Sequence, residues 1–195
     1  GGLLSRLQTV DSQHDFWRIV SDRQFSELDA EPAARQYLSN LFYFQPNASV
    51  QRVVTIGTPH RGSRFANGFT QWLSAKVIAF PMQTMASRQE LFRRNPGFFR
   101  PQVATRVMTS IDSLNPDSPM LAALLAAQAG PWMKYHNIVG DEPRTGINRL
   151  FASRGDGVVS VNSARLDDLP QLASQIVVPE DHVVLHRHPQ SIAEV

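Results

Sequence analysis

The chain has 195 residues, 42% of them hydrophobic and 18% charged, a balance that suits one globular domain and shows no disordered tract. Its formal net charge is +2, from 19 Lys and Arg against 17 Asp and Glu, and the arginines are scattered rather than interleaved with aromatics, which argues against a nucleic-acid groove. With no cysteine it forms no disulfide and no thiolate metal site, and no apolar run is long enough to span a bilayer.

In chain order, "LLSRLQTV" (Leu3 to Val10) puts Leu3, Leu4 and Leu7 on one helical face, so a helix is expected at the start. Because the text opens on "GGLLSRL" with no initiator Met, it reads as a piece of a longer chain. Short helices are expected around Phe16–Val20 and Pro32–Leu41, within a polar and aromatic stretch. The β-branched run Val53 to Ile56, halted by Gly57, predicts a short buried strand feeding the loop "GTPHRGS". A helix over Arg64–Lys76 and a Phe- and Met-rich excursion over Ala79–Pro101 follow. Ser118 as N-cap, Pro119 in the first turn and Gly130 as stop bracket an Ala/Leu helix. Strands are expected at Lys134–Asp141 and from Ser174 to Pro179, and Pro189 opens a last helix. Strands alternating with helices predict an α/β fold with a parallel sheet.

In an open parallel sheet, reactive groups gather in loops at the carboxyl ends of the strands. Three such loops stand out: "GTPHRGS", "SRGDGVVSVNSA" and "PEDHVVLHRHP". They offer a Gly/Pro turn, an acid and a histidine. Asp156 sits between glycines that allow a sharp turn, whereas Asp141 ends its strand directly and is a competitor. Among the histidines, His182 falls right after the strand; His186 is the rival, and His188 precedes a proline that draws it into extended backbone. Asp181 reads as a surface charge. His60 and Arg61 either line the rim of the site or pin the loop by hydrogen bonds. The glycines of "GTPHRGS" match no phosphate-binding loop.

Strand–"GTPHRGS", then "GDGVVSVNSARL", then "DH" past the last strand resembles the C-terminal part of a serine esterase or lipase-like enzyme of the α/β-hydrolase family. The resemblance implies a partial α/β-hydrolase fold: the last three parallel strands, flanking helices, and helical cap or lid inserts at about residues 11–49 and 64–130 of a single domain spanning 1–195. It also implies that "GGLLSRL" continues a G-x-S-x-G nucleophile elbow, with Gly1 its closing glycine and the serine two residues upstream. Asp156 would then be the triad acid and His182 the base, and both oxyanion N–H groups would lie outside this chain. The implied substrate is a small-molecule or lipid ester, with no cofactor and no metal. The insert aromatics, Phe16, Trp17, Phe42, Tyr43, Phe44, Trp72, Phe80, Phe92, Phe98 and Phe99, would wall an acyl pocket or simply pack the cap.

Two other readings stay open. A non-catalytic relative would keep the fold as a binding protein, and the residue at the nucleophile position decides that. A metallohydrolase would use His182 and His186, spaced i, i+4, as zinc ligands; but Val183 stands where H-E-x-x-H needs Glu, and Pro189 makes the segment a loop. Nothing in the sequence sets the oligomeric state or the compartment.

Overall fold

The computed structural model describes residues 1–63, 89–101, 115–143 and 154–195. The expected helix over Arg64–Lys76, residues 79–88 of the excursion that follows it, and Trp72 and Phe80 lie outside the described residues.

The chain is mixed α/β, built on a three-stranded parallel sheet in the order β2 (Arg52–Ile56), β4 (Lys134–Gly140), β5 (Leu172–Val178). Val53 and Thr55 of β2 stand opposite Tyr135 and Asn137 of β4, so these four share one face. Against that face pack α1 (Gly2–Leu7), through Leu3 and Leu7, and α4 (Pro119–Ala126), through Leu124. On the other face Val54, Ile56, Ile138, Ile176 and Val178 meet Leu185 in the 3₁₀ turn Leu185–Arg187. Ile138, Val178 and Leu185 are 0%, 0% and 1% exposed, each worth roughly 1.5–3 kcal/mol relative to an exposed side chain. The last helix, α6 (Pro189–Glu194), follows that turn.

Two expected helices end early, for one reason. The first stops at Leu7 rather than Val10, and α4 stops at Ala126 rather than at Gly130. Val10–Asp11 (β1) and Gln128–Ala129 (β3) pair instead as a two-residue antiparallel ribbon, closed by Gly130 N–H donating to the Thr9 carbonyl at 3.0 Å. Ser118 does precede α4, with Pro119 in the first turn, but its hydroxyl makes no capping bond.

Residues 11–49 hold α2 (Asp15–Arg18), a 3₁₀ turn at Phe25–Glu27 and α3 (Pro32–Phe42). Their centre is Trp17, 3% exposed, with Phe25 and Phe42 edge-on at 5.0 and 5.4 Å between ring centroids. Among the described residues no helix is long and apolar enough to cross a membrane.

Candidate active site

Parallel strands end at one edge, so the loops leaving β4 and β5 are brought together there. The loop after β4 turns back on itself at Gly155–Ser160, which form an antiparallel bridge, and Gly157 takes φ +89°, a conformation that favours glycine. Within that turn Asp156 is 2% exposed. Its Oδ1 accepts the backbone N–H groups of Val158 at 3.0 Å and Val159 at 2.7 Å. That local closure fixes the carboxylate and leaves Oδ2 pointing outward from the turn.

His182, four residues beyond the end of β5, places Nδ1 at 2.7 Å from Asp156 Oδ2. Its backbone N–H also donates to the Asp156 carbonyl at 2.9 Å, so main chain and side chain are tied to the same residue. A carboxylate at Nδ1 fixes the tautomer: Nδ1 carries the proton and Nε2 is the basic nitrogen. The Asp156 hydrogen bond raises the imidazole above its ordinary pKa, against the opposing effect of burial. The ring is 36% exposed while the carboxylate is 1% exposed, so the pair is open on the histidine side alone.

Two glycines make room for this pair. A Cβ on Gly57, which has φ +54°, would lie 3.0 Å from both Asp156 Oδ2 and His182 Nδ1. A Cβ on Gly140 would lie 2.6 Å from Asp156 Cβ. The loop "GTPHRGS" therefore reaches the pair through the backbone of its first glycine. Its next residue, Thr58, packs under the start of α1: a Cβ on Gly2 would lie 2.6 Å from Thr58 Cγ2. The amino end of α1 is thus held at the same edge as the histidine.

The competing residues are engaged elsewhere. Asp141 accepts from Arg154 Nε at 2.9 Å. Asp181 Oδ1 accepts from the N–H groups of Val183 (2.7 Å) and Val184 (3.2 Å), closing the turn beyond His182. His186 Nε2 accepts from Arg187 Nε at 3.2 Å, and His188 Nδ1 caps α6 by accepting from Gln190 N–H at 3.2 Å. The three histidines do three separate jobs, and among the described residues no group of three His, Cys, Asp or Glu could hold a metal ion.

His60 is 1% exposed and lies behind the loop, its Nε2 3.3 Å from Thr55 Oγ1; Thr55 in turn donates to Asn137 Oδ1 at 2.7 Å. Burial, with Arg6 and Arg61 adding repulsion, lowers its pKa to about 3, so this ring is neutral at physiological pH. Arg61 bonds the carbonyls of Asn162 and Arg165 and the carboxylate of Asp168. Arg61 thereby holds the loop against residues 162–168, while His60 ties it back to β2.

Sequence reasoning missed two polar clusters. His136 Nδ1 lies 2.7 Å from Ser174 Oγ and 3.2 Å from Glu194 Oε1, and Ser174 also donates to Glu194, which joins β4, β5 and α6. The other is Arg6, 2% exposed beneath α1. Only the strand register reveals the first, and only the helix packing the second. Two cavities, of about 650 and 740 Å³, are lined by neither Asp156 nor His182. Compared with family models, characterised proteins and solved structures, the chain matches none of them.

Proposed function

We propose that this chain carries the acid and base of a serine hydrolase that cleaves carboxylic esters through an acyl-enzyme, on the last strands of an α/β-hydrolase fold. One observation carries the reading: the 2.7 Å contact of His182 Nδ1 with a buried carboxylate already locked by two backbone amides. That arrangement leaves Nε2 as the basic nitrogen of a ring that is 36% exposed, with no hydrogen-bond partner among the described residues, as a general base requires. The nucleophile is a serine two residues before Gly1, at the turn from which α1 departs. The packing of Gly2 on Thr58, and of Gly57 on the histidine–aspartate pair, supports that placement.

The serine Oγ bonds to the ester carbonyl carbon as its proton passes to His182 Nε2. Asp156, accepting from Nδ1, stabilises the imidazolium that forms. The C–O bond to the alcohol breaks, and the leaving oxygen takes the proton from Nε2, giving the acyl-enzyme and free alcohol. Water then repeats the sequence: its proton goes to Nε2, its oxygen to the acyl carbon, and the proton returns to the departing serine oxygen. The products are acid and alcohol, with the serine regenerated.

The test is turnover of a short-chain nitrophenyl ester by the full-length protein and by residues 1–195 alone. Turnover by the full-length protein that is lost in His182→Ala supports the reading. Ester turnover by residues 1–195 above a His182→Ala control contradicts it, because this segment would then need no upstream serine.

A further inference from the structure

Among the described residues Arg6 is a charge without a counter-ion. It is 2% exposed, its Nε and Nη1 have no acceptor among the described residues, and its Nη2 reaches only the Leu125 carbonyl, at a marginal 3.5 Å. The field of the Tyr135 phenol reaches it, but burial raises that phenol above its ordinary value, so it is neutral and compensates nothing. Buried charges in folded proteins are paired or bind something.

Arg6 is also one of the residues that line a cavity of about 740 Å³, within the size range of small-molecule sites. Arg61 lines it too, and Arg61 already has Asp168 as an ion-pair partner at 3.2 Å. The charge left over is the single positive charge of Arg6, which matches a monoanion better than a dianion such as phosphate. The remaining walls are largely aliphatic, with Leu125, Ala126, Leu166 and Leu169 among them. Pro131 and Leu169 line it just before β4 and β5 begin, whereas Asp156 and His182 follow the ends of those strands. The cavity thus lies beside the segments that lead into β4 and β5, with Arg61 reaching it from the loop after β2, and neither Asp156 nor His182 lines it.

We propose that this cavity binds the carboxylate of an apolar acid, its head on the Arg6 and Arg61 guanidiniums and its aliphatic body against Leu125, Ala126, Leu166 and Leu169. Guanidinium–carboxylate bonds are charge-assisted and supply the recognition, while the apolar walls supply contact area. The site does not rest on the esterase reading and stands if that reading fails.

Calorimetric titration of the full-length protein with octanoate, octanol and inorganic phosphate tests it. Octanoate is expected to bind saturably, with octanol and phosphate at least about tenfold weaker, because each lacks either the charge or the body. Arg6→Met is expected to weaken octanoate by about tenfold or more. Ala126→Trp, an exposed wall position, fills the cavity without touching Arg6 and is expected to abolish binding while the fold is kept. That second variant also separates this site from any carboxylate held near His182. No saturable octanoate binding, equal binding of octanol, tighter binding of phosphate, or undiminished octanoate binding in Ala126→Trp would each overturn the proposal.

Discussion

Among the described residues there are two histidine–carboxylate contacts, both reaching the histidine of the pair through Nδ1. At the carboxyl edge of the sheet, Asp156 is fixed by its own turn, His182 donates to it at 2.7 Å, and the imidazole stays 36% exposed. Lower on the same strands, His136 Nδ1 faces Ser174 Oγ at 2.7 Å and Glu194 Oε1 at 3.2 Å, while its Nε2 is buried with no partner among the described residues. A serine, a histidine and an acid are all present in the second cluster, yet no proton can be relayed across the ring, since both partners compete for one nitrogen. The difference teaches that residue identity is not the signal. Which nitrogen is occupied, and which one is free to meet a reactant, separates a candidate catalytic pair from a structural tie.

The sharpest way to break that comparison is to delete each imidazole. In the full-length protein, His182→Ala is expected to lower kcat for a nitrophenyl ester by about 10⁴-fold or more, and His136→Ala to leave kcat within about twofold. Wild-type rates in His182→Ala with a collapse in His186→Ala would move the base to the rival histidine. Asp156→Asn should follow, with a fall of about 10³–10⁴-fold in kcat while the fold is retained, because an amide no longer holds the productive tautomer.

The pH dependence sharpens the same contrast. Only neutral imidazole accepts the serine proton, and the Asp156 hydrogen bond raises His182 above 6.5. The acidic limb of kcat/KM should therefore have its midpoint above 6.5, and Asp156→Asn should move it downward. For stability the sign runs the other way. A raised folded pKa contributes stability that is fully present below 6.5 and is lost as pH rises through the folded value. The Tm advantage of wild type over His182→Gln should shrink across that window, and an advantage that grows with pH would contradict the assignment.

Gly57→Ala tests the approach of the backbone to the pair. Its Cβ would sit 3.0 Å from both interacting atoms and on a backbone at φ +54°. A loss of about 10–100-fold in kcat is expected from the displaced imidazole, with a stability cost of roughly 1–2 kcal/mol. The smallest effect belongs to the other cluster. Glu194→Gln should cost roughly 0.5–1.5 kcal/mol by loosening α6, read by denaturant titration, with kcat unchanged.

The parallel sheet was legible from local signals, and the contact of Asp156 with His182 from local signals read together with the resemblance to α/β-hydrolases. β-branched runs marked the strands, a Gly-Asp-Gly turn marked Asp156, and the position just past the last strand marked His182. The β1–β3 ribbon was not legible. Val10–Asp11 and Gln128–Ala129 are too short to carry an alternation, and their pairing overrides helix propensity at both ends. His60 was legible only as a choice between lining the rim and pinning the loop; its buried contact with Thr55, itself bonded to Asn137, is of the second kind. The His136–Ser174–Glu194 cluster depended on a register with an irregularity between Tyr135 and His136, which strand periodicity does not encode.

The most direct test of the central claim is to treat the full-length protein with a fluorophosphonate, which phosphonylates only an activated serine, and to map the adduct by peptide mass spectrometry. The account predicts one adduct, on a serine two residues before Gly1, strongly reduced in His182→Ala. An adduct undiminished in that variant, or no adduct on a folded full-length protein, would contradict it.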